Sequence, residues 1–292
     1  MSQIGINTII VGTGNEGAAS GHTSGFAVQN QRTDIELAVG SYEPSLNLQI
    51  WKNYADIFDV EIVTPGGRRI NITEERAGTY RYGTDRTELL IYYGEPSPFS
   101  PFQEIYIDFI PRENYITEGL WTISLYGRKV SFGEYDMWLP SSGSINASHF
   151  VLPTPYTTLT IPSTARNVIS VGAYDSSNTS YASFSGRGFD RTGGIIKPDI
   201  VAPGVNITTA AVGGGLISLS GTSFATPFVS GSAALLCEWG IVRGNDRWLY
   251  GEKVKAYMIR GAKQLPGEET PSRKTGWGAL CVRDSLPEGW SR

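Results

Sequence analysis

The chain has 292 residues, a formal net charge of −4, and a composition that is 40% hydrophobic and 11% aromatic. These values are typical of a globular protein with one large or two ordinary domains. So small a charge gives no reason to expect nucleic acid or an anionic membrane as a partner. No apolar run reaches about 18 residues, and no charged segment precedes an apolar one at the amino terminus, so the sequence predicts neither a membrane-spanning helix nor a signal peptide.

The chain has two cysteines, Cys237 and Cys281. Two are too few for a disulfide framework, and without histidine neighbours they do not form a zinc site. We interpret them as small buried apolar residues. The acidic residues do not show the Asp-x-Asp-x-Asp spacing of a calcium loop. No metal ion and no other cofactor is therefore predicted.

The first segment predicts a buried parallel strand over Ile4 to Val11, because its residues are largely β-branched and apolar. A glycine-rich turn follows, with the sequence Gly12-Thr13-Gly14-Asn15. The turn is not a phosphate loop, since the Gly-Lys-Ser/Thr sequence that holds a phosphate does not follow it.

From about Asp34 to Trp138, apolar residues alternate with polar ones, which is the pattern of half-buried antiparallel strands. Turn residues such as Pro65-Gly66-Gly67 separate these segments. At least seven strands with this spacing predict a β-sandwich or jelly roll over residues 28–150. Each segment is marked by three apolar residues: Ile35, Leu37 and Val39; Leu46, Leu48 and Ile50; Phe58, Val60 and Ile62; Leu89, Ile91 and Tyr93; Ile105, Ile107 and Phe109; Trp121, Ile123 and Leu125; Tyr135, Met137 and Leu139.

After residue 151 the sequence predicts α/β structure. A core strand is expected over Asn167 to Ala173 and a short strand over Leu216 to Leu219. Helical spacing of apolar residues predicts an amphipathic helix from Glu252 to Gln264.

The stretch from Ser220 to Pro227 precedes an apolar helical segment, Phe228 to Trp239. Ser223 is expected at the amino-terminal end of this helix, where the dipole is positive and an acyl-transfer nucleophile is favoured. Pro227 is expected in the first turn, where its missing N–H costs little. A Gly-Thr-Ser sequence alone would equally fit a serine-capped buried helix, but the eight-residue string is more specific.

Three stretches in the right order resemble the subtilases, the subtilisin-like serine proteases. They are Gly221-Thr222-Ser223 with Ala225, Pro227 and Gly231; the strand and turn from Ile10 to Gly17; and Lys197 to Val205. The resemblance implies an α/β core with a parallel sheet, formed by residues 1–27 and 151–292 around the inserted β domain. It implies a nucleophile at Ser223 and an oxyanion-stabilising amide at Asn15. It also implies substrate-binding positions at Gly12, Thr13, Gly14, Ser220, Gly221 and Thr222.

The histidine and aspartate of a subtilase triad are not evident. In subtilases the triad order is Asp, His, Ser, and the first two precede the oxyanion asparagine, whereas fourteen residues precede Asn15 here. The two histidines, His22 and His149, do not lie in a His-Gly-Thr setting. The resemblance therefore implies the carboxy-terminal portion of a subtilase, with a sheet incomplete at its amino terminus and no activity alone. Its expected partners are a protein or peptide substrate and the upstream subtilase segment, from the same precursor or a second chain.

Two other functions remain open. One is a non-catalytic subtilase-like scaffold, and the other is a β-sandwich module that binds glycan or protein. The inserted β domain, with Gly14-Asn15-Glu16-Gly17-Ala18 and Gly21-His22 before it, also resembles subtilases that act in spore germination in clostridia. That narrower resemblance implies a protein zymogen as substrate and an extracellular or spore-associated location.

Overall fold

The computed structural model describes residues 6–73, 78–84, 86–188 and 195–287. The chain divides into two compact units. The α/β unit comprises Met1–Ala18 with Tyr156–Arg292, and the β unit comprises Ala19–Pro155. The domain limits expected from sequence, 27/28 and 150/151, stay predictions, and the range 28–150 lies inside the β unit.

The strands among the described residues are numbered in chain order. They are β1 Ile10–Gly12, β2 His22–Phe26, β3 Arg32–Val39, β4 Leu46–Asn53, β5 Ile57–Val63, β6 Arg69–Ile72, β7 Gly78–Gly83, β8 Thr87–Tyr93, β9 Phe102–Pro111, β10 Gly119–Lys129, β11 Glu134–Trp138, β12 His149–Phe150, β13 Ile169–Asp175, β14 Ser180–Tyr181, β15 Ile200–Pro203, β16 Ile207–Ala210 and β17 Leu216–Leu219. The α-helices are α1 Thr222–Cys237, α2 Glu252–Gly261 and α3 Val282–Ser285.

The sheet of the α/β unit is centred on β13, which pairs in parallel with β1 and β15 and antiparallel with β14. The first five residues of β13 are buried, as expected for a parallel strand covered on both faces. The predicted first strand, Ile4 to Val11, is shorter in the structure, which places β1 at Ile10–Gly12. Ile4 lies outside the described residues. In the part of the chain that the structure describes, β1 has a strand partner on one side only.

Helix α1 packs against β1, β13 and β15. Pro227 is its sixth residue, so the expected place in the first turn is wrong. Without an N–H, Pro227 cannot donate to the carbonyl of Ser223 one turn earlier. Beside its buried stripe, α1 has exposed apolar residues at Phe228 (44%) and Leu235 (55%).

The helical stretch Thr222–Val242, which is α1 with the π-helical turn Glu238–Val242, is long and apolar enough to cross a membrane by length and composition alone. In its most apolar 18-residue window, 33% is buried. Ala225, Val229 and Ala233 of α1 belong to the hydrophobic core of the α/β unit.

Helix α2 confirms the predicted amphipathic helix but ends at Gly261, three residues before the expected Gln264. Ala262 has an extended backbone, and the following residue, Lys263, pairs with Ala279. Val254 and Met258 bury the apolar face of α2 in the α/β core.

The β unit contains two antiparallel sheets, with strand orders β12-β3-β10-β5-β6 and β2-β11-β4-β9-β8-β7. Alternate residues of both sheets point into one hydrophobic cluster, which includes Leu37, Ile50, Ile107 and Trp121. The alternation visible in the sequence is therefore the alternation between this core and the outer faces. Four strands that the alternation did not reveal, β2, β6, β7 and β12, are short or carry few apolar residues.

A buried carboxylate holds the turn before β11. Asp56 is fully buried, and its two oxygens accept hydrogen bonds from the backbone N–H groups of Ser131 (2.6 Å), Phe132 (2.9 Å) and Gly133 (2.8 Å). The Asp56 carboxylate thus supplies this turn with the hydrogen-bond acceptors that a neighbouring strand supplies in a sheet.

We expect Asp56→Ala to lower the free energy of unfolding by about 2–4 kcal/mol, because it leaves buried N–H groups without acceptors. Thermal or urea unfolding measures the loss. The matched control is Asp34→Ala, which removes an exposed carboxylate paired with Arg32 and should cost less than about 0.5 kcal/mol. Equal losses in the two variants would contradict this role for Asp56.

Candidate active site

The candidate site lies where the carboxyl end of β1 meets the amino-terminal end of α1. Asn15 follows β1 by three residues, and its side-chain Oδ1 accepts the backbone N–H of Thr222 at 3.0 Å and the Thr222 hydroxyl at 3.2 Å. A backbone N–H can only donate, so the oxygen of the amide must be the atom that faces Thr222. The amide nitrogen of Asn15 therefore points away from Thr222 and keeps its N–H groups as donors.

Two glycines allow this turn to approach α1. A Cβ on Gly12 would lie 3.0 Å from the Thr222 hydroxyl and 3.1 Å from that of Thr226. The Gly14 N–H donates to the Thr222 hydroxyl at 3.2 Å, and Gly14 has φ of +87°, which favours glycine. Thr222 thus contacts both Gly14 and Asn15 and fixes the turn against the helix.

Thr13 differs from its neighbours because its side chain is fully buried. Its hydroxyl lies 3.4 Å from that of Ser185. The main chain of Thr13 is buried too, and its N–H donates to the Val171 carbonyl at 3.0 Å. Of the three predicted cleft positions, Gly12 and Gly14 are partly exposed and Thr13 is not.

Two other segments of the α/β unit form hydrogen bonds with the main chain of Thr13 and Gly14. The N–H of Thr160 donates to the carbonyl of Thr13 at 3.0 Å, and the N–H of Gly186 donates to the carbonyl of Gly14 at 2.9 Å. The side chain of Thr160 packs directly on Gly14, since a Cβ on Gly14 would lie 2.5 Å from Thr160 Cγ2 and Oγ1. Nothing in the sequence pattern identified Thr160, because this contact joins segments that are far apart in the chain.

Ser223 is the second residue of α1 and its side chain is exposed. The hairpin β16–β17 leads into it through Ser220 and Gly221. The Gly221 N–H donates to the carbonyl of Gly204 at 2.8 Å, and Ser220 Oγ accepts the Asn206 N–H at 2.9 Å. These bonds fix the backbone immediately before the helix, where N–H groups and the helix dipole favour negative charge.

The histidines occupy structural positions in the β unit. His22 is 2% exposed and stacks on Trp138 with ring centroids 4.8 Å apart. Its Nδ1 lies 3.1 Å from the Thr154 carbonyl oxygen and its Nε2 lies 3.0 Å from an Asp136 carboxylate oxygen. Both ring nitrogens of His22 thus have partners within the β unit. His149 is exposed, and its Nδ1 lies 2.9 Å from the Ala147 carbonyl.

Among the described residues, no group of three or more His, Cys, Asp or Glu side chains is arranged to hold a metal ion. Cys237 and Cys281 are free thiols of intermediate burial. Burial raises the pKa of the Cys237 thiol, which disfavours the reactive thiolate.

Residues 153–278 match the model of the subtilase family, and this part of the chain belongs to that family of serine proteases. The matched range contains Ser223 and the segment Lys197–Val205, as the resemblance in the sequence implied.

Among solved structures, the chain is similar to the CspB protease of Clostridium perfringens, with 37% identity and a TM-score of 0.86 over 95% of this chain and 58% of that one. This similarity shows a subtilisin-like fold. Among curated proteins, it is 33% identical to the serine protease AprX of Bacillus subtilis over 44% of this chain and 32% of AprX. It is 44% identical to subtilisin BL of Lederbergia lenta over 33% of this chain and 29% of that enzyme. The chain thus spans between about a third and three fifths of these relatives.

We expect Gly14→Ala to lower the free energy of unfolding by about 1–3 kcal/mol, because a Cβ there is strained by φ and overlaps Thr160. Adding Thr160→Gly to Gly14→Ala should restore part of the lost free energy of unfolding. The second substitution removes the overlap with the Thr160 side chain but leaves the backbone strain at residue 14. Urea unfolding of the single and double variants measures this coupling. Gly143→Ala, where a Cβ meets nothing within 4 Å, is the control and should be nearly neutral. Additive losses at Gly14 and Thr160 would contradict the contact.

Proposed function

We propose that this chain carries the nucleophile and oxyanion-binding part of a subtilisin-type serine endopeptidase. The observation that supports this most directly is the orientation of Asn15, whose amide oxygen is held by Thr222 so that the N–H groups remain available close to the start of α1. An acyl-transfer site needs such a fixed donor where the carbonyl oxygen becomes negative.

The proposed reaction is hydrolysis of a peptide bond in a protein or peptide substrate. Ser223 Oγ attacks the scissile carbonyl carbon and its proton passes to a base, while the carbonyl oxygen takes the negative charge and is bound by Asn15 and the Ser223 N–H. Collapse expels the amine, which receives the proton, and water then releases the acyl group from Ser223. Residues 12–14 and 220–222 are the proposed walls of the substrate cleft beside Ser223.

The base in this proposal comes from an upstream subtilase segment. His22 is engaged at both ring nitrogens, and subtilases place their Asp and His before the oxyanion asparagine. Two surfaces of the α/β unit fit such a segment. Among the described residues, β1 has no strand partner on its outer edge, which leaves room for a further parallel strand. The exposed side of α1, with Phe228 and Leu235, offers an apolar face for a neighbouring helix. The matching CspB chain is also longer than this one.

We infer that the β unit is a jelly-roll-like sandwich inserted into the protease core. Two antiparallel sheets that share one hydrophobic cluster support this, and so does the coverage of 95% of the chain by the CspB similarity. A protein zymogen as substrate and a spore-associated location rest on the resemblance to clostridial subtilases. The scaffold and glycan-binding functions remain alternatives that the following experiment separates from catalysis.

A fluorophosphonate probe, read by intact mass, tests the nucleophile. We expect no labelling of the 292-residue chain alone, and labelling of Ser223 once the upstream segment is present, because the probe requires an activated serine. Ser223→Ala should abolish labelling. Asn15→Ala should lower kcat of the complemented protein by about 10²–10³-fold, a size taken from the oxyanion asparagine of subtilisin.

Two results would contradict the proposal. Labelling of Ser223 in the chain alone would show that the base lies in this chain. Absence of labelling in the complemented protein, with the upstream segment bound, would favour the scaffold or binding alternatives.

The exposed face of α1 can be tested separately. We expect Leu235→Lys to weaken association with the upstream segment at least about tenfold, because it places a charge in an apolar contact. Co-purification or titration calorimetry measures the association. The control is Phe99→Lys, which changes a 94% exposed aromatic residue of the β unit and should leave association unchanged. Equal affinity for both variants would exclude α1 as the contact face.

A further inference from the structure

The outer face of the six-stranded sheet in the β unit carries aromatic rings and carboxylates on neighbouring strands. Residues of β9 alternate between buried and partly exposed, so Glu104, Tyr106 and Asp108 lie on the outer face, opposite the hydrophobic cluster. Tyr92 of β8 pairs with Tyr106 and is 44% exposed. We call these four residues the tyrosine–carboxylate face. The proposed peptide hydrolysis does not use it.

The main chain of this part of the sheet is already paired. Strand β9 is hydrogen-bonded to β4 on one side and to β8 on the other. Peptides that recognise a sheet by adding a strand need an unpaired edge, and β9 is not an edge strand. A ligand of this face is therefore recognised by side chains, through ring faces and carboxylate oxygens.

The two tyrosines form a continuous ring surface. Tyr92 and Tyr106 are directly opposite each other, which places their Cβ atoms about 4.5–5.5 Å apart. Gln49 of β4 is opposite Tyr106 on its other side, and its amide adds a donor and an acceptor to the row. Tyrosine presents an apolar ring with a polar hydroxyl end. A row of this kind fits flat ligands that have an apolar ring face and a polar rim, as pyranose sugars do.

The carboxylates make the surroundings of these rings negative. Glu104 and Asp108 lie on either side of Tyr106, each about 7 Å from it along the strand. Desolvation raises the pKa of both carboxyl groups, and no basic side chain among the described residues offsets it. Desolvation also raises the pKa of the Tyr106 hydroxyl, and the charges of Asp108 and Glu104 add to this effect. A ligand that brings positive charge to this face relieves the desolvation of both carboxylates.

We propose that the tyrosine–carboxylate face binds a glycan with free amino groups, of which a chain of glucosamine units is the simplest form. The apolar faces of the sugar rings pack on Tyr92 and Tyr106. The ammonium groups bind Glu104 and Asp108 through charge-assisted hydrogen bonds, and those near a tyrosine ring are attracted by its quadrupole. The β unit thereby has a glycan-binding function that is independent of peptide hydrolysis.

Titration calorimetry of the complete 292-residue chain with hexaglucosamine tests the proposal, at a pH just below the pKa of the sugar amino groups. We expect saturable binding of hexaglucosamine. The fully N-acetylated hexamer keeps the sugar rings but carries no positive charge, so we expect it to bind at least about tenfold more weakly.

Two variants locate the site. Glu104→Gln/Asp108→Asn preserves the shape of both side chains and removes both charges, and it should weaken binding of hexaglucosamine at least about tenfold. Tyr106→Ala removes the central ring and should also weaken binding at least about tenfold. If Tyr106→Ala does not fold, the charge variant still decides, because it changes partly exposed side chains without changing their size.

Matched controls change the same residue types elsewhere in the β unit. Glu113→Gln/Glu118→Gln neutralises two exposed carboxylates, and Tyr126→Ala removes a tyrosine that is 41% exposed on β10 of the other sheet. Both should leave the affinity for hexaglucosamine within about twofold of the wild-type value.

Three results would overturn the proposal. The first is no binding of hexaglucosamine, or equal affinity of the wild-type chain and Glu104→Gln/Asp108→Asn. The second is equal affinity for the N-acetylated hexamer, which would remove the role of the amino groups. The third is equally tight binding of hexalysine, which carries the same charge without sugar rings and would make a basic peptide the ligand. None of these readouts depends on peptidase activity, so they are independent of the proposed function.

Discussion

The contact between the turn after β1 and the first residues of α1 is the constraint on which the candidate site depends. Thr222 binds Asn15 through its N–H and hydroxyl and accepts the Gly14 N–H. One threonine at the start of the helix thus fixes both the position and the direction of the Asn15 amide. Gly12 makes the contact possible, because any side chain there would displace Thr222 or Thr226. The glycines and the threonine therefore act together, although about two hundred residues separate them.

The large β unit separates, along the chain, the two segments that form the candidate site. These segments are the turn after β1 and the start of α1, and the contact just described holds them together. Residues 19–155 leave the α/β unit after Asn15 and Ala18 and return at Tyr156. The return segment bonds to the same turn, through Thr160 to Thr13, and Gly186 bonds to Gly14. The α/β unit is thus closed by hydrogen bonds of its own, and the β unit has a separate hydrophobic cluster.

The α/β unit has buried charged side chains at one end of its sheet and exposed apolar side chains on α1. At the strand amino termini, the buried Asp199 has cationic partners and several donors. Along the outer side of α1, apolar side chains such as Leu235 remain exposed. Helix α1 is therefore an apolar helix that is only partly buried by the described residues.

The sequence alone predicted the subtilisin-like α/β fold, the nucleophile candidate and seven strands of the β unit, because these predictions depend on local patterns. Alternation placed β3, β4, β5, β8, β9, β10 and β11, and the Gly-Thr-Ser-x-Ala-x-Pro string identified the subtilase segment. The burial of Thr13, the packing of Thr160 on Gly14 and the engagement of both nitrogens of His22 were decided only by the tertiary structure. Each joins residues distant in the chain, so no local period or motif encodes it. The position of Pro227 in the second turn and the end of α2 at Gly261 were also tertiary outcomes, since packing on the sheet and the pairing of Lys263 with Ala279 outweighed local helix signals.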